Sequence, residues 1–311
     1  MSDVTAPARG AYADLNDLIA LRFSARQLRL ARRNRALSAL AGPNKSNFRG
    51  RGIDFEEVRN YQPGDDIRTI DWRVTARTGS AHTKLFREER ERPVLVVVDQ
   101  RSSMFFGSSH CFKSVLAAQL ASLIAWSALD AGDRVGGLVF NGEEHREIRP
   151  RRSRKNLLAL LSQVAEYNRN LPLSAASEAD SFAAMLSNLR RIARPGSSLF
   201  LVSDFDGASR EHAREHLFQL AQHTELTAIA CTDPLESKLP RAGKYAVTNG
   251  SERSELYTAD RKLRSTYQRH FQQQREMLSQ DLLRLGIPLL QASTDSAPFN
   301  LLQQFYGEAR R

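Results

Sequence analysis

VLVVVDQRSSMFFGSS, residues 94–109, opens on an unbroken apolar run and leaves it at Asp99. A strand wetted on one face alternates apolar and polar residues. A continuous run rich in β-branched valine predicts a strand covered on both faces, the situation of a parallel sheet sandwiched between helices. Directly beyond it stand a carboxylate (Asp99), a guanidinium (Arg101) and two hydroxyls (Ser102 and Ser103). Open sheets of this kind bind ligands past the carboxyl ends of their strands, so this mouth is the first candidate site.

Outward from this strand the same alternation continues to the C-terminus. The pattern predicts a helix near 111–130, a strand RVGGLVF at 134–140, a helix carrying Leu157 to Val164, and a third with the stripe Phe182, Met185, Leu186, Leu189, Ile192. Pro195-Gly196 breaks the chain before the strand SLFLVSD at 198–204. A helix near 208–222, the strand LTAIACT at 226–232 and a long helix near 259–285 follow. That helix carries Leu263, Tyr267, Phe271, Leu278, Leu282 and Leu285 and stops at Gly286 before IPLLQ. Strands alternating with helices predict a doubly wound, mainly parallel α/β sheet over 93–311.

Two regions precede it. Residues 15–40 place Leu15, Leu18, Ile19 and Leu28 at helical spacing among Arg22, Arg26, Arg29, Arg32, Arg33 and Arg35, which predicts an amphipathic basic helix within an N-terminal region, 1–46. Residues 47–92 mix both charge signs densely, with turn signals at Arg49-Gly50-Arg51-Gly52 and Pro63-Gly64-Asp65-Asp66, and predict a β-rich charged block of short strands and turns. Trp72 is expected to anchor that block to the core.

Composition narrows the classes. The chain has 311 residues, 41% apolar and 26% charged, ordinary for a globular protein, and no run approaches the apolar length that crosses a bilayer. The N-terminus lacks an apolar signal core, so the expected compartment is the cytoplasm. Cys111 and Cys231 lie far apart without metal-type spacing, which argues against a disulfide framework or a zinc site. The net charge of +10 raises nucleic acid as a partner. The arginine cluster at 22–35 and RRSRK at 151–155 lack interleaved aromatics to stack on bases, so solvated helix faces are the better reading.

The second acidic strand end is Asp204, with Asp206 two residues on. If the two strands are neighbours, Asp99, Ser102 or Ser103, and Asp204 converge on an oxygen-rich point suited to a hard ion. Equally, Asp204 and Ser103 can serve only as caps of the helices that follow.

The strand ending in Asp with hydroxyls beyond it, DRVGGLVF, and the late LVSD together resemble a von Willebrand factor A-type domain with its metal-ion-dependent adhesion site. Upstream, FRGRGIDFEEVRNYQPGDDIRTIDWRVTARTG followed by KLFREERERPV resembles the bacterial domain-of-unknown-function 58 family. The resemblance implies a von Willebrand factor A-like fold and a non-enzymatic adaptor or chaperone-associated module. Its implied partners are a MoxR-type AAA+ ATPase and other proteins of the same operon. It also implies Mg2+ or Mn2+ held by Asp99, Ser103 and Asp204.

The metal pattern, Asp-x-Ser-x-Ser, is broken here: Arg101 stands at the first serine, and Asp180 is the best match for an expected threonine. A guanidinium about 5 Å from a divalent ion would be repelled by roughly 6 kcal/mol at an effective dielectric of about 20. The expectation is therefore a degenerate site in which Arg101 replaces the metal by pairing with Asp99, Asp204 or Asp180. Arg101, Ser102, Asp180 and Asp206 are then expected to meet an acidic residue of a protein partner. Two alternatives stay open, nucleic-acid binding through the arginine clusters and metal-dependent phosphoryl transfer through DFDG at 204–207. The sequence has no GxxxxGK, GxGxxG after the first strand, HExxH or GxSxG to support an enzyme.

Overall fold

Asp14 accepts a hydrogen bond from the Asn16 amide (2.8 Å) and so starts α1 (Leu15–Ala20), followed after one residue by α2 (Arg22–Ala25). The computed structural model describes residues 5–30, 54–62, 70–87, 92–170, 180–248 and 253–307. The chain divides into two compact units, one of residues 47–91 and one of everything else. The continuous basic helix expected over 15–40 is thus two short helices as far as residue 30. Arg32, Arg33 and Arg35 fall outside the described residues, as do the turn signals at 49–52 and 63–66.

In the smaller unit β1 (Asp54–Asn60) pairs antiparallel with β2 (His82–Arg87), with a register shift between Phe55 and Glu57. Between them lies α3 (Trp72–Thr78). Asp71 caps it by accepting from the Arg73 and Val74 amides, and Gly79 closes it at φ +75°. Trp72 is 67% exposed. Its place in the first turn of a helix with no buried residue leaves the ring in solvent.

The larger unit continues with β3 (Pro93–Asp99), a 3-10 turn at Ser102–Met104, α4 (Lys113–Asp130), β4 (Arg134–Phe140), β5 (His145–Arg151), α5 (Arg154–Arg169) and α6 (Ser181–Ile192). Then come β6 (Ser198–Ser203), α7 (Glu211–His223), β7 (Glu225–Thr232), α8 (Pro234–Ser237), β8 (Lys244–Thr248) and β9 (Arg253–Tyr257). Finally α9 (Arg261–Arg284) leads to β10 (Leu289–Ser293) and α10 (Pro298–Tyr306).

Six strands form one sheet in the order β10-β7-β6-β3-β4-β5, parallel throughout except for the antiparallel edge strand β5. The expected doubly wound, mainly parallel architecture is the one observed. The period-2 geometry of β3 sends Val94, Val96 and Val98 into the core beneath α4 and α5. Leu95 and Val97 enter the opposite core beneath α6 and α7. That two-sided burial is why the run contains no polar residue. In β4 a Cβ on Gly137 would lie 2.1 Å from the Val96 carbonyl oxygen, so glycine is what lets the two strands approach.

The N-terminal segment is tied into the same unit. Ser122 Oγ and Trp126 Nε1 both donate to the Leu18 carbonyl (2.6 and 3.2 Å), and the Ala13 amide donates to Asn168 Oδ1 (2.6 Å). The described part of the N-terminal region, residues 5–30, packs on α4 and α5 through buried Leu18, Ala25 and Leu28. The β8–β9 ribbon and β5 go beyond the sequence reading. Both are largely exposed and lack the apolar signature of a buried strand. No helix among the described residues is long and apolar enough to cross a membrane.

Candidate functional site

The chain leaves β3 for β4 on one side and returns to β6 on the other, so the crevice between β3 and β6 is the topological switch point. Asp99 is the last residue of β3, and Asp204 follows the last residue of β6. The two acidic strand ends are neighbours on one rim.

Between them lies the side chain of Arg101, only 1% exposed. Its backbone N–H donates to Asp99 Oδ1 (2.9 Å), a local turn that folds the residue back over the strand end. Its Nε donates to both Asp99 oxygens (3.1 Å each) and its Nη2 to Asp99 Oδ2 (2.8 Å) and Asp204 Oδ1 (3.4 Å). Nη1 donates to the Asp206 carbonyl (3.1 Å). The guanidinium sits against two rings, Phe182 (5.2 Å) and Phe140 (5.6 Å). Ser203 Oγ donates to Asp99 Oδ2 (2.6 Å) and accepts from the Phe205 amide (2.9 Å). Phe205 itself adopts φ +62°, a left-handed backbone that a bulky residue rarely takes. It is held there by burial against Phe182 at 6.0 Å between centroids.

A second cation completes the arrangement. Lys113 opens α4, where a positive charge opposes the helix dipole, yet its side chain is buried. Its Nζ donates to Asp204 Oδ2 (3.0 Å) and Glu236 Oε1 (2.6 Å). Glu236 Oε2 accepts from the Asp233 amide (2.8 Å), half of a capping box that starts α8. Asp233 follows the last residue of β7 and is buried. It accepts from the Leu235 and Ser108 amides (2.9 and 2.8 Å) and from Thr294 Oγ1 (2.6 Å). Three adjacent parallel strands thus end at or one residue before aspartates, which Arg101, Lys113 and Glu236 join.

The electrostatics follow from burial and pairing. Burial pushes the Asp204 carboxyl up, but Lys113 and Arg101 outweigh it and hold the group down to about 2. Burial pushes Asp99 upward, opposed by Arg101 and the Ser203 hydroxyl. Burial favours the neutral forms of Arg101 and Lys113, but their carboxylate partners overcome it and keep both raised above their usual ranges.

The structure brings Asp99, Arg101 and Asp204 together, with Asp206 contributing its backbone carbonyl. Asp180 does not join them: its exposed carboxylate pairs with Arg210 (2.8 Å). Ser103 Oγ forms no well-shaped hydrogen bond, although it lies near enough to Asp204 to favour the ionised carboxylate. The expectation that Arg101 meets a partner directly is corrected, because its guanidinium is consumed inside the fold. Sequence reasoning missed Lys113, Glu236, Asp233 and Ser203. A lysine on the first turn of an otherwise apolar helix, and Asp-Pro-Leu-Glu straight after a strand, were the available signals.

These residues do not fit a divalent ion. Every oxygen of Asp99 and Asp204 already accepts from an N–H, O–H or ammonium donor, and two fixed cations occupy the space a metal would need. Among the described residues no three His, Cys, Asp or Glu side chains gather as a metal cage.

Beside the closed cluster opens a cleft of about 940 Å3, running from Ser102, Phe106 and Asp206 on the rim to Phe271, Arg275 and Leu278 on α9.

The family model described as Protein of unknown function DUF58 matches residues 57–277. The chain is 29% identical over 287 residues to the uncharacterized protein Mb1516 of Mycobacterium bovis and, equally, to Rv1480 of Mycobacterium tuberculosis. These matches cover 92% of this chain and 89% of each relative. Among solved structures, the conserved hypothetical protein BatB from Bacteroides thetaiotaomicron superposes with a TM-score of 0.40 at 13% identity, over 69% of this chain and 98% of that one. An aerotolerance-related membrane protein from Bacteroides fragilis gives 0.41 at 12% identity with the same coverage. Since the family match takes in most of the chain, including both acidic strand ends and most of the block before them, this protein belongs to the DUF58 family.

Proposed function

We propose that this protein is a non-enzymatic interaction module, an adaptor or chaperone-associated partner of a MoxR-type AAA+ ATPase, which meets its partner with the carboxyl rim of the sheet. The observation that carries the reading is the buried chain Asp99–Arg101–Asp204–Lys113–Glu236. At the point where this fold presents ligand groups, the charges are spent on one another. Such a network holds three strand ends and the loop after β3 in one arrangement, and a rigid rim lowers the ordering entropy that binding must overcome. Around the cluster, Phe106 (41% exposed) and the exposed Asp206 face outward as contact residues.

The test is copurification of the full chain with a MoxR-type ATPase encoded near it in the same genome. Phe106→Asp is expected to weaken capture at least about tenfold without unfolding the protein, since the ring is already partly in water. Equal capture by Phe106→Asp and Asp206→Arg, or turnover of generic phosphatase or esterase substrates by the wild type, refutes the proposal.

A further inference from the structure

We infer that the cleft beneath α9 receives an acidic segment of a protein partner, with its apolar side chains on the cleft floor and a carboxylate on Arg275. This deepens the adaptor reading and rests on it. Helix α9 spans 24 residues, yet Leu282 is its one fully buried side chain. The helix stands off from the sheet flank it covers, and the gap is the cleft. Its floor is Ala230 on β7 with Leu289 at the start of β10, and its α9 wall includes Phe271 and Leu278. Ala230 is buried, but Leu289, Phe271 and Leu278 are half-buried, more apolar surface than a helix leaves uncovered without a use.

Charge selects the occupant. Arg275 is half-buried, stacks on the Phe271 ring (5.6 Å) and has no carboxylate within 4.0 Å among the described residues. Glu236 acts on it only at longer range and is already bound to Lys113. Arg284 on α9 and Arg214 on the neighbouring α7 share the one carboxylate of Asp281 (3.7 and 3.1 Å). The lining carries as many carboxylates (Asp204, Asp206, Glu236, Asp281) as cations (Lys113, Arg214, Arg275, Arg284), and among these cations Arg275 is the one without a carboxylate within 4.0 Å among the described residues, where solvent is partly excluded. A planar fork so placed is made for a carboxylate. Gln274 and Gln291 also line the cleft and offer partners for peptide amides, which an alkyl chain could not use.

The experiment measures anisotropy of a fluorescein-labelled peptide alternating Phe or Leu with Glu, and of its Gln counterpart, on the full chain. The Glu peptide is expected to bind at least about tenfold more tightly. Arg275→Gln should erase that preference, and Arg269→Gln, an exposed position of the same helix outside the cleft, should keep it. Met277→Asp, on an exposed lining position, should weaken both peptides. No preference for Glu, a preference untouched by Arg275→Gln, or displacement by oleate overturns the inference, the last in favour of a lipid. If wild type and Arg275→Gln capture the ATPase equally, the inference fails and the adaptor reading stands. If the Glu peptide binds through Arg275 while no ATPase is captured, the adaptor reading fails and the cleft assignment stands.

Discussion

Replacing Arg101 by methionine deletes a charge from the middle of the fold while keeping a long side chain against the Phe140 and Phe182 rings. At 2.8 Å the Arg101–Asp99 contact corresponds to about 6 kcal/mol of gross attraction at an effective dielectric of about 20. In the wild type that attraction is largely offset by several kcal/mol of desolvation for each buried ion. In Arg101→Met the desolvation of Asp99 remains and the attraction is gone; the carboxylate keeps the Ser203 hydroxyl and the amide of residue 101. Breaking one side of a buried pair costs about 3–5 kcal/mol, whereas replacing both partners is often close to neutral. Arg101→Met combined with Asp99→Asn should therefore recover most of the loss. Urea unfolding followed by Trp126 fluorescence in a Trp72→Phe background reads the sheet unit alone, because these are the two tryptophans of the chain and Trp126 is buried. At an m of about 3 kcal/mol/M the midpoint should fall by about 1–2 M in the single variant. A drop below about 0.3 M, or a double variant no more stable than the single one, would refute the account of the cluster as a paired, buried charge system.

The same geometry sets further outcomes. Calorimetry should detect no tight Mg2+ binding to the wild type. Arg101→Ser restores the hydroxyl spacing but leaves Lys113 at 3.0 Å from Asp204, so useful affinity should need Lys113→Met as well; tight binding by the wild type would contradict the fit argument. Because Asp204 titrates near 2 in the fold and near 3.8 when unfolded, the unfolded chain binds more protons between these values. Stability present above pH 4 should fall by about 2 kcal/mol on acidification to pH 2. Lys113→Met should shrink that loss, and an unchanged acid limb in urea titrations would count against the pairing. Asn168→Leu strands the Ala13 amide and Gln100 Oε1 and should cost about 1–3 kcal/mol, seen as faster hydrogen exchange at Ala13. Gly137→Ala forces a Cβ onto the Val96 carbonyl and should lower the urea midpoint by an amount matching about 1–3 kcal/mol or more.

Much of the sheet could be read from the chain because a strand buried on both faces cannot carry polar residues, and VLVVV and LFLV obey that constraint on their own. The long C-terminal helix was legible in its stripe, but the stripe faces a cleft more than a core, because how closely a helix approaches a sheet depends on residues far away in sequence. The β8–β9 ribbon was not legible, since an exposed strand is under no demand to be apolar.

The sequence by itself determined that carboxylates stand at the ends of two core strands and that an arginine interrupts the hydroxyls after the first. Only the tertiary structure decided that Arg101 turns inward. Its partners Asp204 and Asp206 lie more than a hundred residues away, and the Phe140 and Phe182 rings that shelter it come from separate elements. Whether a charge is held in or left in water depends on what surrounds it in space, and that environment exists only once β3, β4, β6 and α6 have packed together.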